Sequence, residues 1–247
     1  MIRTFTLVFA LFFFANLSSQ SEIYELRVYE MDFFKPEKVL HDYFKNALIP
    51  ALNRQGVNHV GVFEELGGAL PKKVYVLLAF SDMQAFEGAD AALSKDAIFS
   101  EAADSYLNTP PEEIPFKRVS SSLIRSTTGF PNLVKPTEDS GVFELRIYES
   151  YNEDALRRKV KMFNDSEFGI FEDTGLPMVF FGPNISGDQM PCLTYLLAFK
   201  DMQAHKDAWS KFGPHPEWQR IVKLDEYANT VSSITRVFLK PVDYSQL

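Results

Sequence analysis

Cysteine is nearly missing: Cys192 is the only one in 247 residues. An intramolecular disulfide is therefore impossible, and stability has to come from the core. Positive charge is also short. Lys and Arg number 25 against 33 Asp and Glu, a formal charge of −8, and there is no basic run. That argues against nucleic acid as a partner. The chain carries no Gly-x-Ser-x-Gly elbow, no Walker loop and no Gly-x-Gly-x-x-Gly fingerprint. The common acyl-transfer, nucleotide and dinucleotide sites thus have no signature here. No two of its four histidines stand at the i, i+4 spacing of a helical zinc site, and there is no cysteine pair to help. We expect neither a metal site nor a tightly bound cofactor. Carboxylates are plentiful, but no pair stands out as an acid/base couple.

Long apolar runs are absent but for one, Phe5 to Ala15, broken only by Thr6. It is too short for a bilayer-spanning helix, which needs roughly 18 residues. One positive residue, Arg3, precedes it and small polar residues follow it. That is the order of a secretory signal peptide, residues 1–19, with cleavage expected after Ser19. The alternatives are an uncleaved anchor or a buried helix. The expected address is exported, periplasmic or extracellular, with no integral membrane segment left after cleavage. Asn-x-Ser sequons at Asn164 and Asn184 matter only in a host that glycosylates.

What is present is an ordinary globular composition, 46% hydrophobic with 14% aromatic residues, which excludes intrinsic disorder. The chain also repeats itself. Tyr24-Glu-Leu-Arg-Val-Tyr-Glu30 returns as Phe143-Glu-Leu-Arg-Ile-Tyr-Glu149, 119 residues on. Leu77–Phe80 and Asp82–Ala85 return as Leu196–Phe199 and Asp201–Ala204 at the same offset. The ends, Ser121–Arg125 and Ser232–Arg236, match at 111, so the second copy has lost residues after its second helix. One constant offset across several blocks marks a duplication. The expected division is repeat 1 at 20–128, a Pro- and Gly-bearing linker at 129–140 and repeat 2 at 141–247.

Residues 23–30 alternate with period two, as a half-buried strand does. Residues 36–55 carry apolar side chains at three and four spacing, an amphipathic helix with Gly56 past its end. Pro50 is expected to kink it or end it early. Strands are expected at 57–63, 74–80 and 117–125, with helical pieces from Asp82 to about Tyr106. The second copy follows at 142–149, 152–172, 177–181, 193–199, from Asp201, and 231–239. The order β-α-β-β-α-β, twice, is the ferredoxin-like unit. The fold class is α+β: two fused repeats pressing their open faces together as an intramolecular dimeric α+β barrel with helices outside. In that barrel we expect Tyr24, Leu26, Val28 and Phe143, Leu145, Ile147 to face the helices. Glu25, Arg27, Tyr29 and Glu144, Arg146, Tyr148 are then expected to line the enclosed space, with Glu and Arg pairing along or across strands.

Tyr-Glu-Leu-Arg-x-Tyr opening a repeat resembles the NIPSNAP family, as does Asn58-His-Val-Gly-Val-Phe63. The stretch from Ala208-Trp209 through Pro216-Glu-Trp218 and Thr230–Ile234 to Tyr244-Ser-Gln246 is similar to the close of exported bacterial-type members. The resemblance covers nearly the whole chain beyond the leader and implies tandem dimeric α+β-barrel domains. It implies no catalytic residues. The wider barrel superfamily includes cofactor-free monooxygenases and haem enzymes, an analogy at the level of fold.

Candidate binding residues are the two rows, Glu25, Arg27, Tyr29 and Glu144, Arg146, Tyr148, with Arg clamping an anionic or hydroxylated ligand. The competing reading is a structural ion-pair network. His59, in phase with Gly61 and Phe63, is a candidate lumen base or haem ligand, or else a hydrogen-bonded core histidine. Trp209, Phe212, Trp218 and Tyr227 form an aromatic lid or, as buried aromatics generally do, core packing. Cys192 reads as an inert small hydrophobe. Three functions follow: a small-molecule-binding barrel, an oxidoreductase using His59, or an interaction module that joins further copies of the chain.

Overall fold

The period-two stretch forms strand β1 (Ile23–Met31). The computed structural model describes residues 21–247, so the leader expected at 1–19 lies outside the described residues. The amphipathic stretch folds as α1 (Lys38–Tyr43) and α2 (Ile49–Arg54), joined without a break by one π turn, Phe44–Leu48. Pro50 therefore neither ends nor interrupts the helix. It stands immediately after the π turn, at the start of α2. The proline does not cause the turn. Repeat 2 has the same π turn at Phe163–Glu167 between α5 (Glu153–Met162) and α6 (Phe168–Thr174), with Gly169 where Pro50 stands. Gly56 and Gly175 follow their helices at φ of 88° and 74°, the left-handed conformation that favours glycine.

Repeat 1 continues with β2 (Gly61–Glu65), β3 (Lys73–Phe80), α3 (Met83–Leu93), α4 (Ala97–Leu107) and β4 (Phe116–Arg125). Repeat 2 opens with β5 (Val142–Glu149) ahead of its helices. It then adds β6 (Met178–Ser186), β7 (Cys192–Phe199), α7 (Met202–Phe212), α8 (Pro216–Ile221) and β8 (Ser233–Pro241). Asp82 and Asp201 cap α3 and α7, accepting from the Ala85 and Ala204 amides at 2.8 and 2.9 Å. β2 begins four residues later than the sequence pattern predicts, and β6 ends five residues later. The extension of β6 comes from its pairing with β4 of the other repeat, which a single repeat's pattern does not contain.

All eight strands close into one antiparallel barrel in the order β1-β3-β2-β8-β5-β7-β6-β4. The α+β fold and its barrel stand as expected. Two seams join the repeats. At one, Phe63, Glu64 and Glu65 face Pro241, Lys240 and Leu239. At the other, Leu123 and Ile124 face Ser186 and Asn184 across an irregular register. Val242, Ser245 and Gln246 extend the first seam by hydrogen bonds to Val60 and Val62.

The expected strand phase is inverted. Tyr24, Leu26, Phe63, Leu77, Ile124, Phe143, Leu145, Phe180, Leu196 and Leu239 pack together inside the barrel. Glu25, Arg27, Tyr29 and Glu144, Arg146, Tyr148 point outward, under the helices. The physical reason is hydrogen-bond supply. A barrel interior is walled by strands whose backbone groups are already paired, so a charge there finds few partners. The outer face meets helices, whose side chains supply donors and acceptors. The Glu–Arg pairing along each strand is as expected, at 2.8 Å in repeat 1 and 3.3 Å in repeat 2.

Gly182, in β6 at the second seam, has no room for a side chain. An added methyl would clash with the Arg125 carbonyl oxygen of the backbone. We predict that Gly182→Ala costs about 3 kcal/mol by overpacking against backbone, read as a lowered urea midpoint. Gly88→Ala, where an added methyl meets nothing within 4 Å in the middle of α3, raises that midpoint slightly.

Candidate functional site

In repeat 1, Arg27 grips Glu25 with two parallel bonds, Nε and Nη2 each 2.8 Å from a carboxylate oxygen. Ser121 on β4 donates to the same carboxylate at 2.7 Å. Tyr29 is packed edge-on between Phe44 and Phe116, and burial raises its phenol above the ordinary range. A hollow of about 150 Å³ opens beside Arg27, walled by Phe80, Phe86, Ala89 and Asp90.

Repeat 2 builds the same layer and seals it. Trp209 stands 119 residues after Asp90. Its ring lies 4.4 Å from the Arg146 guanidinium, and its Nε1 donates to Glu144 at 2.8 Å. The same Glu144 oxygen lies 3.1 Å from His205 Nε2. Tyr195 donates to Tyr148 at 2.9 Å, and burial pushes the Tyr148 phenol up to about 12. Beyond them Lys159 pairs with Glu167 across the π turn, each side chain at most 5% exposed. Burial holds the Glu167 carboxyl above its usual range against the pull of Lys159. Sequence reasoning missed this pair. Its signal lies in the repeat itself: the residues 119 positions earlier are Leu40 and Leu48, both buried.

A third place is inside the barrel. One end is filled by Tyr24, Phe63, Phe143 and Phe180. The other is a cleft of about 360 Å³ between the strands. Leu26, Val28, Leu145, Ile147 and Val237 form its walls, while Ser120, Ser122, Thr194 and Thr235 present hydroxyls and Asn184 an amide. Thr194 donates to the Asn184 side-chain oxygen at 2.7 Å. Of these, Leu26, Val28, Leu145 and Ile147 belong to the phase expected to face the helices; the structure turns them into the barrel.

His59 precedes β2 rather than lying in it, half-buried, and no hydrogen bond to its ring occurs among the described residues. It does not join either charged row. His41, on α1 outside the barrel, meets Glu37 and Glu64, with Nε2 at 3.6 and 3.9 Å from their carboxylates. Of the aromatic group, Phe212 lies 5.3 Å from Trp209 and 4.6 Å from Trp218, which is packing between helices and sheet rather than a lid. Burial pushes the Cys192 thiol up to about 11, as fits an unreactive core cysteine.

The NIPSNAP family model matches residues 24–110 and 143–246, and the chain belongs to that family. No curated protein matches the chain. Among solved structures, a suspected monooxygenase of Fusobacterium nucleatum is similar over 91% of this chain and 94% of its own, at 13% identity and a TM-score of 0.58. A suspected monooxygenase of Lactobacillus acidophilus is similar over 90% and 94%, at 13% identity and a TM-score of 0.56. An uncharacterised NIPSNAP-like domain protein of Burkholderia xenovorans matches 44% of this chain and 90% of its own, at 18% identity and a TM-score of 0.40. At these identities the likeness is one of fold.

The buried pair in repeat 2 yields a direct test. Lys159→Leu alone strands the Glu167 carboxylate, and we predict a loss of about 3–5 kcal/mol. The double change Lys159→Leu with Glu167→Leu restores what repeat 1 carries at these positions. We predict that it is neutral or stabilising, by up to about 4 kcal/mol. Urea unfolding of the two variants beside the parent reads both outcomes.

Proposed function

We propose that the protein binds a small molecule in the open end of its barrel. The carrying observation is the 360 Å³ cleft among otherwise packed strands. Its size lies in the range of small-ligand sites, and an apolar wall with a few convergent polar groups is their usual chemistry. The aliphatic side chains of Leu145, Ile147 and Val237 suit a flat or branched apolar body. Hydroxyls from Ser120, Ser122, Thr194 and Thr235 suit one or two polar substituents. Lys73 and Asp188 at the rim would orient a charged end toward water. Both repeats contribute to the lining, so the site exists only when the barrel is closed.

The role is therefore binding, and the site differs from the charged rows to which the sequence points. Those rows read as register-fixing pairs under the helices. An exported location fits this reading and rests on residues 1–19 alone. The oxidoreductase reading rests on likeness of fold, with His59 outside both rows and outside the cleft lining.

The test uses 1-anilinonaphthalene-8-sulfonate as the probe. Its fluorescence should rise on addition of the folded protein. Ile147→Trp, which fills the cleft, should abolish the rise, while Arg27→Leu should leave it unchanged. Arg27→Leu strands the Glu25 carboxylate and is expected to lower the urea midpoint, so a single cooperative unfolding transition is the check that each variant is folded. Loss of the signal in Arg27→Leu, with Ile147→Trp still binding, would return the site to the charged row.

A further inference from the structure

Outside the barrel, three side chains from separate parts of repeat 1 converge on one point. Glu37 and His41 stand four residues apart, Glu37 at the cap of α1 and His41 within it, and so share one face. Glu64 comes from β2. One ligand atom from each of the three lies within 4.8 Å of the others. His41 Nε2 is 3.6 Å from Glu37 Oε2 and 3.9 Å from Glu64 Oε1. Zinc bonds of about 2.1 Å at tetrahedral angles place ligand atoms about 3.4 Å apart, close to both histidine–carboxylate distances, and the two carboxylates lie within 4.8 Å of each other.

Two further observations point to a cation. The first is the histidine's orientation. Tyr244 OH lies 2.6 Å from His41 Nδ1, which fixes the ring and turns Nε2 toward the carboxylates. With Nδ1–H donating to the phenol oxygen, the Nε2 lone pair is free to ligate, as outer partners arrange in metal sites. The second is the present occupant. The Lys72 ammonium bridges the same two carboxylates, 2.6 Å from Glu37 Oε2 and 3.0 Å from Glu64 Oε1. It sits on a flexible stem 39% exposed and is free to swing out. Lys240 holds the other Glu64 oxygen at 3.2 Å. A groove of about 580 Å³ runs over Glu37, His41, Glu64 and Tyr244, which leaves the open coordination side accessible to water or a ligand.

We propose that Glu37, His41 and Glu64 form a divalent metal site of the zinc class, which Lys72 occupies when no metal is bound. The inference is independent of the barrel cleft. It departs from the expectation of no metal site, which rested on helical spacing alone; the third ligand comes from a strand more than twenty residues beyond the helical pair.

Calorimetric titration of the untagged protein with Zn²⁺ tests it, with Co²⁺ absorption as a second readout. One site per chain is expected. His41→Gln and Glu64→Gln should each abolish binding and the Co²⁺ ligand-field bands, and the urea midpoints of both show whether they are folded. Tyr244→Phe should weaken binding about 10–100-fold. Lys72→Met should bind more tightly than the parent, because the competing ammonium is gone. Absence of binding in the parent overturns the proposal, even if Lys72→Met binds, since Lys72 then holds the site in the natural protein. Binding that survives both His41→Gln and Glu64→Gln also overturns it.

Discussion

Closure of the barrel is the constraint on which the rest depends. Each repeat is a four-stranded sheet with two faces to cover, and its own helices cover only one. The two sheets cover each other's second face. That interior has no backbone donors or acceptors to spare, so it selects Tyr24, Leu26, Phe143, Phe180 and their neighbours. Charged side chains are left to the outer face, where Ser121, His205 and Trp209 reach them. The burial of Glu144 and Arg146 follows from the same division. Helix α7 supplies His205 and Trp209 to one Glu144 oxygen, and Trp209 also stacks on the Arg146 guanidinium.

Much of the fold was legible in the sequence, because duplication shows each element twice. The alternation at 24–29, repeated at 143–148, sets strand type. The linker and the β-α-β-β-α-β order set topology. Which face points inward was not legible. Alternation specifies that two faces differ, and a strand with apolar residues on one side satisfies either assignment. Hydrophobicity alone would have favoured Leu26 and Leu145 for the barrel. The expectation of an enclosed charged row set that signal aside. The candidate site suffered accordingly. The cleft residues Ser120, Thr194 and Thr235 lie on three strands and meet only after closure. His41 and Glu64 likewise meet only through tertiary packing.

The repeats also differ in instructive ways. Where repeat 1 has Asp90 beside a small hollow, repeat 2 has Trp209 stacked on Arg146. Where repeat 1 has Leu40 and Leu48, repeat 2 has Lys159 and Glu167. The π turn survives in both, so neither the apolar nor the charged filling is needed to make it. Duplication fixed the frame, and the layer between sheet and helices diverged within it.

The seams have a consequence for how the molecule is made. Within a repeat, β1 and β3 pair along eight positions. The link between β2 and β8 has three, and it joins Glu64 to Lys240. A growing chain can thus assemble the first sheet long before β8 emerges. Until then the apolar face of that sheet has no cover. Nascent repeat 1 is in effect half of an interface awaiting its other half, and during that interval it would be a natural client for a chaperone.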